Sequence, residues 1–407
     1  MPDAVKCATC GSLLAFELED LHASTHDLRH RFAQRRLSND PLDQSGVWRY
    51  RDLLPPIARE HVVTLRENVV PLYAARIGAN YTSARRLSYL HLGQNPTASF
   101  KDAGMTVAIS HAHARGARLA VCASTGNTSA SMAAYAARAG MTAVVLIPST
   151  GISQAKMAQT LDYGATVMVV DGDFDRALEL VRALDPTRVA LVNSVNPYRI
   201  EGQKCAALGL LEMRDWRPPD WVVLPGGNLG NSSAFGKGFR EACALGLIDR
   251  LPRLAVVQAS GAAPFSHLFR DGGELVPVKA KTSASAIEIG NPASWRKALR
   301  ELQESGGVAL DVSDEEIADA RAMVGRDGVG CEPGSAAAVA GVKRLREQGV
   351  IGMDDDVVAV LTGHVLKDGT FAAQYHASEA RFANKLRQVS DESALRDYID
   401  SLHTARA

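Results

Sequence analysis

Apolar runs of strand length recur along the chain: 88–92 (SYLHL), 119–123 (LAVCA), 142–147 (TAVVLI), 166–170 (TVMVV), 189–192 (VALV), 220–224 (DWVVL), 254–258 (LAVVQ) and 356–361 (DVVAVL). The segments between them space their apolar residues with helical period, among them Ala103 to His113. Strands that alternate with helices predict a mostly parallel sheet covered on both faces, an α/β protein. Residues 1 to about 90 hold only short elements, with a proline-marked segment at Leu53-Leu54-Pro55-Pro56, and 375–403 reads as one or two solvated amphipathic helices.

Composition narrows the function. In 407 residues, 45 Lys+Arg balance 45 Asp+Glu with no basic block, so the chain lacks the electrostatic footprint of a nucleic-acid or anionic-membrane binder. No apolar stretch reaches the roughly 18 to 20 residues of a spanning helix, and the first residues lack the order of a signal peptide. A cytoplasmic protein that binds a small molecule is expected. Of the six cysteines only Cys7 and Cys10 have a ligand-like spacing, and no second CxxC completes a zinc site. His22 and His26 are better read as a solvated helical pair, and no metal is expected.

Most strands run into a cluster of glycine, serine, asparagine or proline: Ser124-Thr125-Gly126-Asn127-Thr128, Pro148-Ser149-Thr150-Gly151, Pro225-Gly226-Gly227-Asn228-Leu229-Gly230-Asn231 and Thr362-Gly363-His364. Ligands of open α/β sheets bind beyond the carboxyl ends of the strands, so these loops are the place for a site. The loop 226–231 opens a helix, and amides freed by glycine at a helix start make an anion cradle; a plain tight turn accounts for the spacing equally well. It matches neither the Walker loop nor the GxGxxG fingerprint, so a phosphate held there belongs to a smaller cofactor than a nucleotide.

Lys101 ends the proline-bounded loop Asn95-Pro96-Thr97-Ala98-Ser99-Phe100 and starts a helix. An amine desolvated at such a junction is fit for Schiff-base chemistry, although a lysine in this setting taken alone is more often a surface residue. The 124–131 loop offers hydroxyls and amide donors, or simply caps its helix. Arg199, in Asn193-Ser194-Val195-Asn196-Pro197-Tyr198-Arg199, is either an anion clamp or half of a surface ion pair. The paired histidines His111 and His113 face different directions, His364 is a further candidate lining residue, and no GxSxG, HExxH or kinase motif is present.

Taken in order, NPTASFKD (95–102), STGNTSAS (124–131), NSVNPYRIEGQK (193–204), PGGNLGN (225–231), AIEIGNPASW (286–295), CEPGSAAAVAG (331–341) and LTGHVLKD (361–368) resemble the motif set of threonine synthase over about residues 60–370. That family belongs to the fold type II pyridoxal-5′-phosphate enzymes, the group of tryptophan synthase β. The resemblance implies two parallel-rich sheets covered by helices. It divides the chain into a large domain, 1–95 with 190–407, and a smaller mobile domain, 96–189. It implies pyridoxal 5′-phosphate as cofactor, with Lys101 as its covalent anchor and proton carrier. Asn127 would bond the cofactor's ring oxygen O3′, Gly226, Gly227, Asn228, Leu229, Gly230 and Asn231 would hold its phosphate, and Thr362 would face the pyridine nitrogen. Ser124, Thr128, Ser194 and Arg199, with Asn228 nearby, would bind the substrate phosphate. The implied reaction turns O-phospho-L-homoserine and water into L-threonine and phosphate in a cytoplasmic homodimer.

Position 288 departs from the family pattern: Glu288 stands where arginine is usual, a charge reversal beside an anionic substrate. It opens a rival reading, β-replacement on O-phospho-L-serine as in cysteate synthase. A second rival is a silent paralogue that binds the cofactor without turnover, which the retained Lys101 opposes. His364-Val365 replaces the usual His-Gly, Ala98 stands where glycine is common, and CATCG matches only half of a zinc ribbon found in some relatives.

Overall fold

The architecture is α/β, seen in a computed structural model that describes residues 5–18, 24–149, 154–172, 174–185 and 189–404. Residues 1–368 form one compact unit; residues 369–407 form another, which holds helices Gly369–Ala377 and Glu392–Thr404. His22, Thr150 and Gly151 lie outside the described residues.

The first unit is built on two sheets. One has the order β1-β2-β10-β7-β8-β9, comprising Leu72–Ala74, Arg86–His91, Asp356–Leu361, Trp221–Pro225, Arg253–Ala259 and Val308–Val312. All its pairs are parallel except β1 with β2. The other has the order β5-β4-β3-β6, from Thr166–Val170, Thr142–Pro148, Leu119–Ala123 and Ala190–Leu191, and is parallel throughout. Every run read as a strand from the sequence is one. The edge strands β1 and β9 were not legible, the first for its three residues and the second for its half-buried, polar-interrupted VALDV.

Alternate residues of the central strands feed different cores, as a pleat of period two requires. Val222, Leu224, Leu254, Val256, Val358 and Val360 pack with Leu208, Phe235 and Phe239 on one face. Val223, Ala255, Val257, Val357 and Ala359 pack with Ala336, Val339 and Val342 on the other. The second sheet has its own core around Met105, Ile109, Met132, Tyr135 and Val145.

Three helices decide where the loops end up: Lys101–Ala114, Pro197–Met213 and Gly230–Ala244. The first two touch backbone to backbone. A Cβ on Gly104 would lie 2.8 Å from Arg199 O, and one on Gly202 would overlap Ala103 O. The second and third are joined by buried ion pairs, Lys204 with Glu241 at 2.7 Å and Lys237 with Glu201 at 2.5 Å, and within the second Lys204 also pairs with Glu201 at 2.6 Å. Lys237 also donates to Phe16 O, which pins the amino-terminal segment to this core. Because these charges are almost wholly excluded from solvent, each needs its partner.

Replacing Gly202 by alanine sets a methyl against a backbone carbonyl that no rotamer change relieves. We expect Gly202→Ala to cost about 1–3 kcal/mol or more in urea unfolding, and to weaken cofactor retention by separating the Lys101 and Arg199 helices. Wild-type stability in this variant would contradict the close crossing.

Candidate active site

Lys101 opens its helix, and its loop is stitched to the loop after β10. Phe100 N donates to Thr362 O at 2.9 Å, His364 N donates to Ala98 O at 3.0 Å, and Ser99 bridges Gly363. Ala98 makes the turn at φ 63°. Asp102, fully buried, accepts Thr97 N at 2.7 Å, Thr97 Oγ1 at 2.6 Å and Ser131 Oγ at 2.6 Å, locking that loop onto the helix Asn127–Arg138. Burial lifts its carboxyl to about 6 despite those bonds.

The Lys101 amine is depressed to about 7, first by burial and next by the Arg199 guanidinium, against an opposing pull from Glu332. A helix start also disfavours a cation. The side chain therefore holds a large uncharged fraction near neutral pH, as a Schiff-base lysine requires. Arg199 is itself buried, donates Nη1 to Val192 O at 3.2 Å, and is lowered to about 10 by desolvation. Its Nε has no protein partner.

The 124–128 and 193–194 segments lie side by side. The Asn193 amide bonds both Ala123 O, at 3.0 Å, and Ala123 N, at 3.3 Å, so Ser124 and Ser194 follow a shared anchor. Asn127 starts the next helix and donates Nδ2 to Glu332 Oε2 at 3.1 Å. Ser124 and Thr128 are half-buried, as is Ser194.

The loop 226–231 turns on Leu229, whose φ is 63°, and Gly230 begins the helix. Asn228 braces it: its Oδ1 accepts Ala293 N at 2.8 Å and its carbonyl accepts Ser294 N at 3.3 Å. Gly227 lies against Ile287, where a Cβ would sit 3.2 Å from that residue's Cα. Asn231 is 6% exposed, yet neither Nδ2 nor Oδ1 has a partner, and Ser232 Oγ, Ser294 Oγ and Gln203 Oε1 are likewise buried and unbonded. A Cβ on Gly230 would be 3.8 Å from Gln203 Oε1 and 4.0 Å from Ser294 Oγ. Polar atoms orphaned around glycine amides at a helix start fit a phosphate ester.

Thr362 lies 3.0 Å, oxygen to oxygen, from Ser335. Ser335 Oγ also accepts Thr362 N and Gly363 N, each at 2.9 Å. Both of its lone pairs are thereby used, which leaves its own hydrogen to be shared between Thr362 Oγ1 and, at 3.5 Å, Gly363 O.

Ser335, Glu332, Asp102 and Gln203 were not singled out from the sequence. Their one sequence signal is membership in the recognised motifs. Glu288 is exposed and accepts Thr282 N at 3.3 Å within its own loop. Cys7 and Cys10 are free in a tight turn, and among the described residues no group of three or more His, Cys, Asp or Glu side chains is placed to hold a metal. No described helix is long and apolar enough to cross a membrane. His364 Nδ1 accepts Leu366 N at 3.3 Å, and its ring centroid lies 6.0 Å from that of buried His91.

An amine lowered by desolvation at one helix start and a glycine-rich turn with orphaned polar atoms at another, in a fold of two parallel-rich sheets, suit a pyridoxal-phosphate enzyme, and residues 64–363 match the family model described as pyridoxal-phosphate dependent enzyme. Threonine synthase of Methanocaldococcus jannaschii is 41% identical over 88% of this chain and 88% of its own length. That of Methanosarcina acetivorans is 46% identical over 79% and 80%. The solved threonine synthase of Escherichia coli shares the fold, with a TM-score of 0.65 and 20% identity over 97% of this chain and 94% of its own. The chain belongs to the threonine synthase family.

Ser335→Ala would strand the amides of Thr362 and Gly363 in a buried turn. We expect a stability loss of about 1–3 kcal/mol in denaturant unfolding, together with weaker cofactor binding by equilibrium dialysis.

Proposed function

We propose that the chain converts O-phospho-L-homoserine and water into L-threonine and phosphate, with the residues below in the roles given. The observation that carries this assignment of roles is the pairing of two buried cations. Lys101 is kept partly uncharged by burial and by Arg199, and Arg199 has an unbonded Nε while its Nη1 donates to Val192 O, next in the chain to the Asn193 that anchors Ala123.

Pyridoxal phosphate, when bound, supplies the electron sink that lets protons leave Cα and Cβ of the amino acid. Lys101 anchors it and, once released, moves those protons; an amine that titrates near 7 can both take and return them at neutral pH. Asn127 orients the ring through its oxygen. The amides of Gly226, Gly227, Asn228, Leu229, Gly230 and Asn231 hold the cofactor phosphate. Thr362, backed by Ser335, donates a neutral hydroxyl toward the ring nitrogen. Ser124, Thr128, Ser194 and Arg199 grip the substrate phosphate and, after its expulsion from Cγ, keep the anion beside Cβ where water adds.

The reading carries a homodimer in the cytoplasm with it. It also takes 96–189 as a smaller mobile domain that brings the Asn127 loop to the loop 226–231; strands β3, β4 and β5 fall within that range.

The test is a substrate panel. Phosphate and threonine should appear together from O-phospho-L-homoserine. Phosphate from O-phospho-L-serine alone, and only with an added nucleophile, would replace this reading with the rival raised by Glu288. Arg199→Ala should raise KM for the phosphorylated substrate about 30- to 1,000-fold, the loss of a buried bidentate clamp, while the visible cofactor band stays. Unchanged KM would remove Arg199 from the substrate site.

A further inference from the structure

Glu332 is a buried carboxylate at the centre of the site to which no role above has been given. It precedes the helix Pro333–Glu347 in extended backbone, φ −68° and ψ 157°, where a side chain would ordinarily cap the helix, and it makes no capping bond. The carboxylate turns instead to Asn127, whose Nδ2 donates to Oε2 at 3.1 Å and Oε1 at 3.4 Å. It is 4% exposed. A Cβ on Gly363 would overlap it, so the carboxylate lies flat against the turn that follows Thr362, and Glu332 N donates to Gly363 O at 3.1 Å. One carboxylate thus touches the amide assigned to the cofactor's ring oxygen and backs the turn that presents Thr362.

Building on the reading above, we infer that Glu332 is a positioning residue that fixes which end of the Asn127 amide faces the cofactor and supplies the counter-charge that the free Lys101 amine faces. An ionised carboxylate only accepts, so it selects the NH2 end of the amide, and the second N–H remains to donate toward the ring oxygen. The same negative charge favours the ammonium form of Lys101, against the push from Arg199. The charged groups around the pair come from several elements. Lys367 and Lys101 hold Glu332 down while burial, foremost, and Asp368 hold it up; Asp102 acts on Lys367. The carboxyl itself is raised above the usual range. Lys101 and Glu332 therefore trade against each other: a charge lost on one is felt on the other.

The test compares wild type with Glu332→Gln and Glu332→Asp as full-length, cofactor-free proteins. The rate at which trinitrobenzenesulfonate modifies Lys101 is followed against pH by peptide mass spectrometry, with thermal unfolding as a control. Glutamine keeps the shape and an acceptor for Asn127 but removes the charge. We expect its lysine midpoint to fall, read as about 3- to 10-fold faster modification one pH unit below the wild-type midpoint, with aspartate returning the rate toward wild type. A folded Glu332→Gln protein with the wild-type midpoint overturns the inference. Should the glutamine variant not fold, Asn127→Ala carries the test. Loss of the amide donor disfavours the ionised carboxylate, so the midpoint falls again, and a midpoint that stays or rises overturns the proposal. In the loaded wild-type protein a visible band that borohydride bleaches should accompany these results. A colourless protein would sink the cofactor reading while leaving the lysine titration interpretable by itself.

Discussion

Holding one primary amine out of water governs the rest of the site. An ammonium group at the first position of a helix, buried and near a guanidinium, is opposed by desolvation, by the helix dipole and by like charge, and all three act in one direction. Those costs do not arise unless the surroundings are rigid enough to refuse water and a counter-ion. The loop before Lys101 is accordingly fixed twice, through Asp102 to Thr97 and Ser131, and through backbone bonds to the 362–364 turn. Loosening either anchor would let the amine reach water and recover its ordinary basicity.

Rigidity at the amine has to be matched by rigidity at the anion cradles, and the helices supply it. Gly104 and Gly202 let the Lys101 and Arg199 helices touch through their backbones, and the Lys204–Glu241 and Lys237–Glu201 ion pairs hold the Arg199 helix to the one that starts at Gly230. Gln203 links the two contacts. Its Nε2 would lie 2.8 Å from a Cβ on Gly104 and its Oε1 3.8 Å from one on Gly230. The Lys101 and Gly230 helix starts are thereby tied through the Arg199 helix that packs between them.

Much of this was legible in the chain because each feature is local. Strands β7, β8 and β10 are buried on both faces and read as unbroken apolar runs; the loops that follow carry glycine, serine and asparagine because turns and amide cradles need them. What escaped is non-local. Asn127 and Glu332 are 205 positions apart, and a glutamate before a proline looks like an ordinary helix start. Ser335 sits in a small-residue helix, and nothing in its neighbours announces that it accepts two amides from a turn 27 residues later. The charge reversal at position 288 was visible as letters, but only coordinates show the carboxylate exposed and bonded to Thr282 N.

On the proposed assignment, the hydroxyl pair at Thr362 would temper how far the cofactor ring becomes an electron sink. A carboxylate facing the ring nitrogen would favour its protonation and make the ring a strong sink, whereas a neutral threonine hydroxyl bonded to Ser335 would bring no such counter-charge. A milder sink would place more of the burden on the base, the role the proposal gives to Lys101. Lys101 would suit that role, its amine lowered to about 7 by burial and by Arg199 against the pull of Glu332. On that assignment, weak electron withdrawal by the ring and a finely set amine would be two parts of one solution. Gly363 is where two parts of this network meet: its N–H donates to Ser335 Oγ, and its missing side chain leaves room for the Glu332 carboxylate.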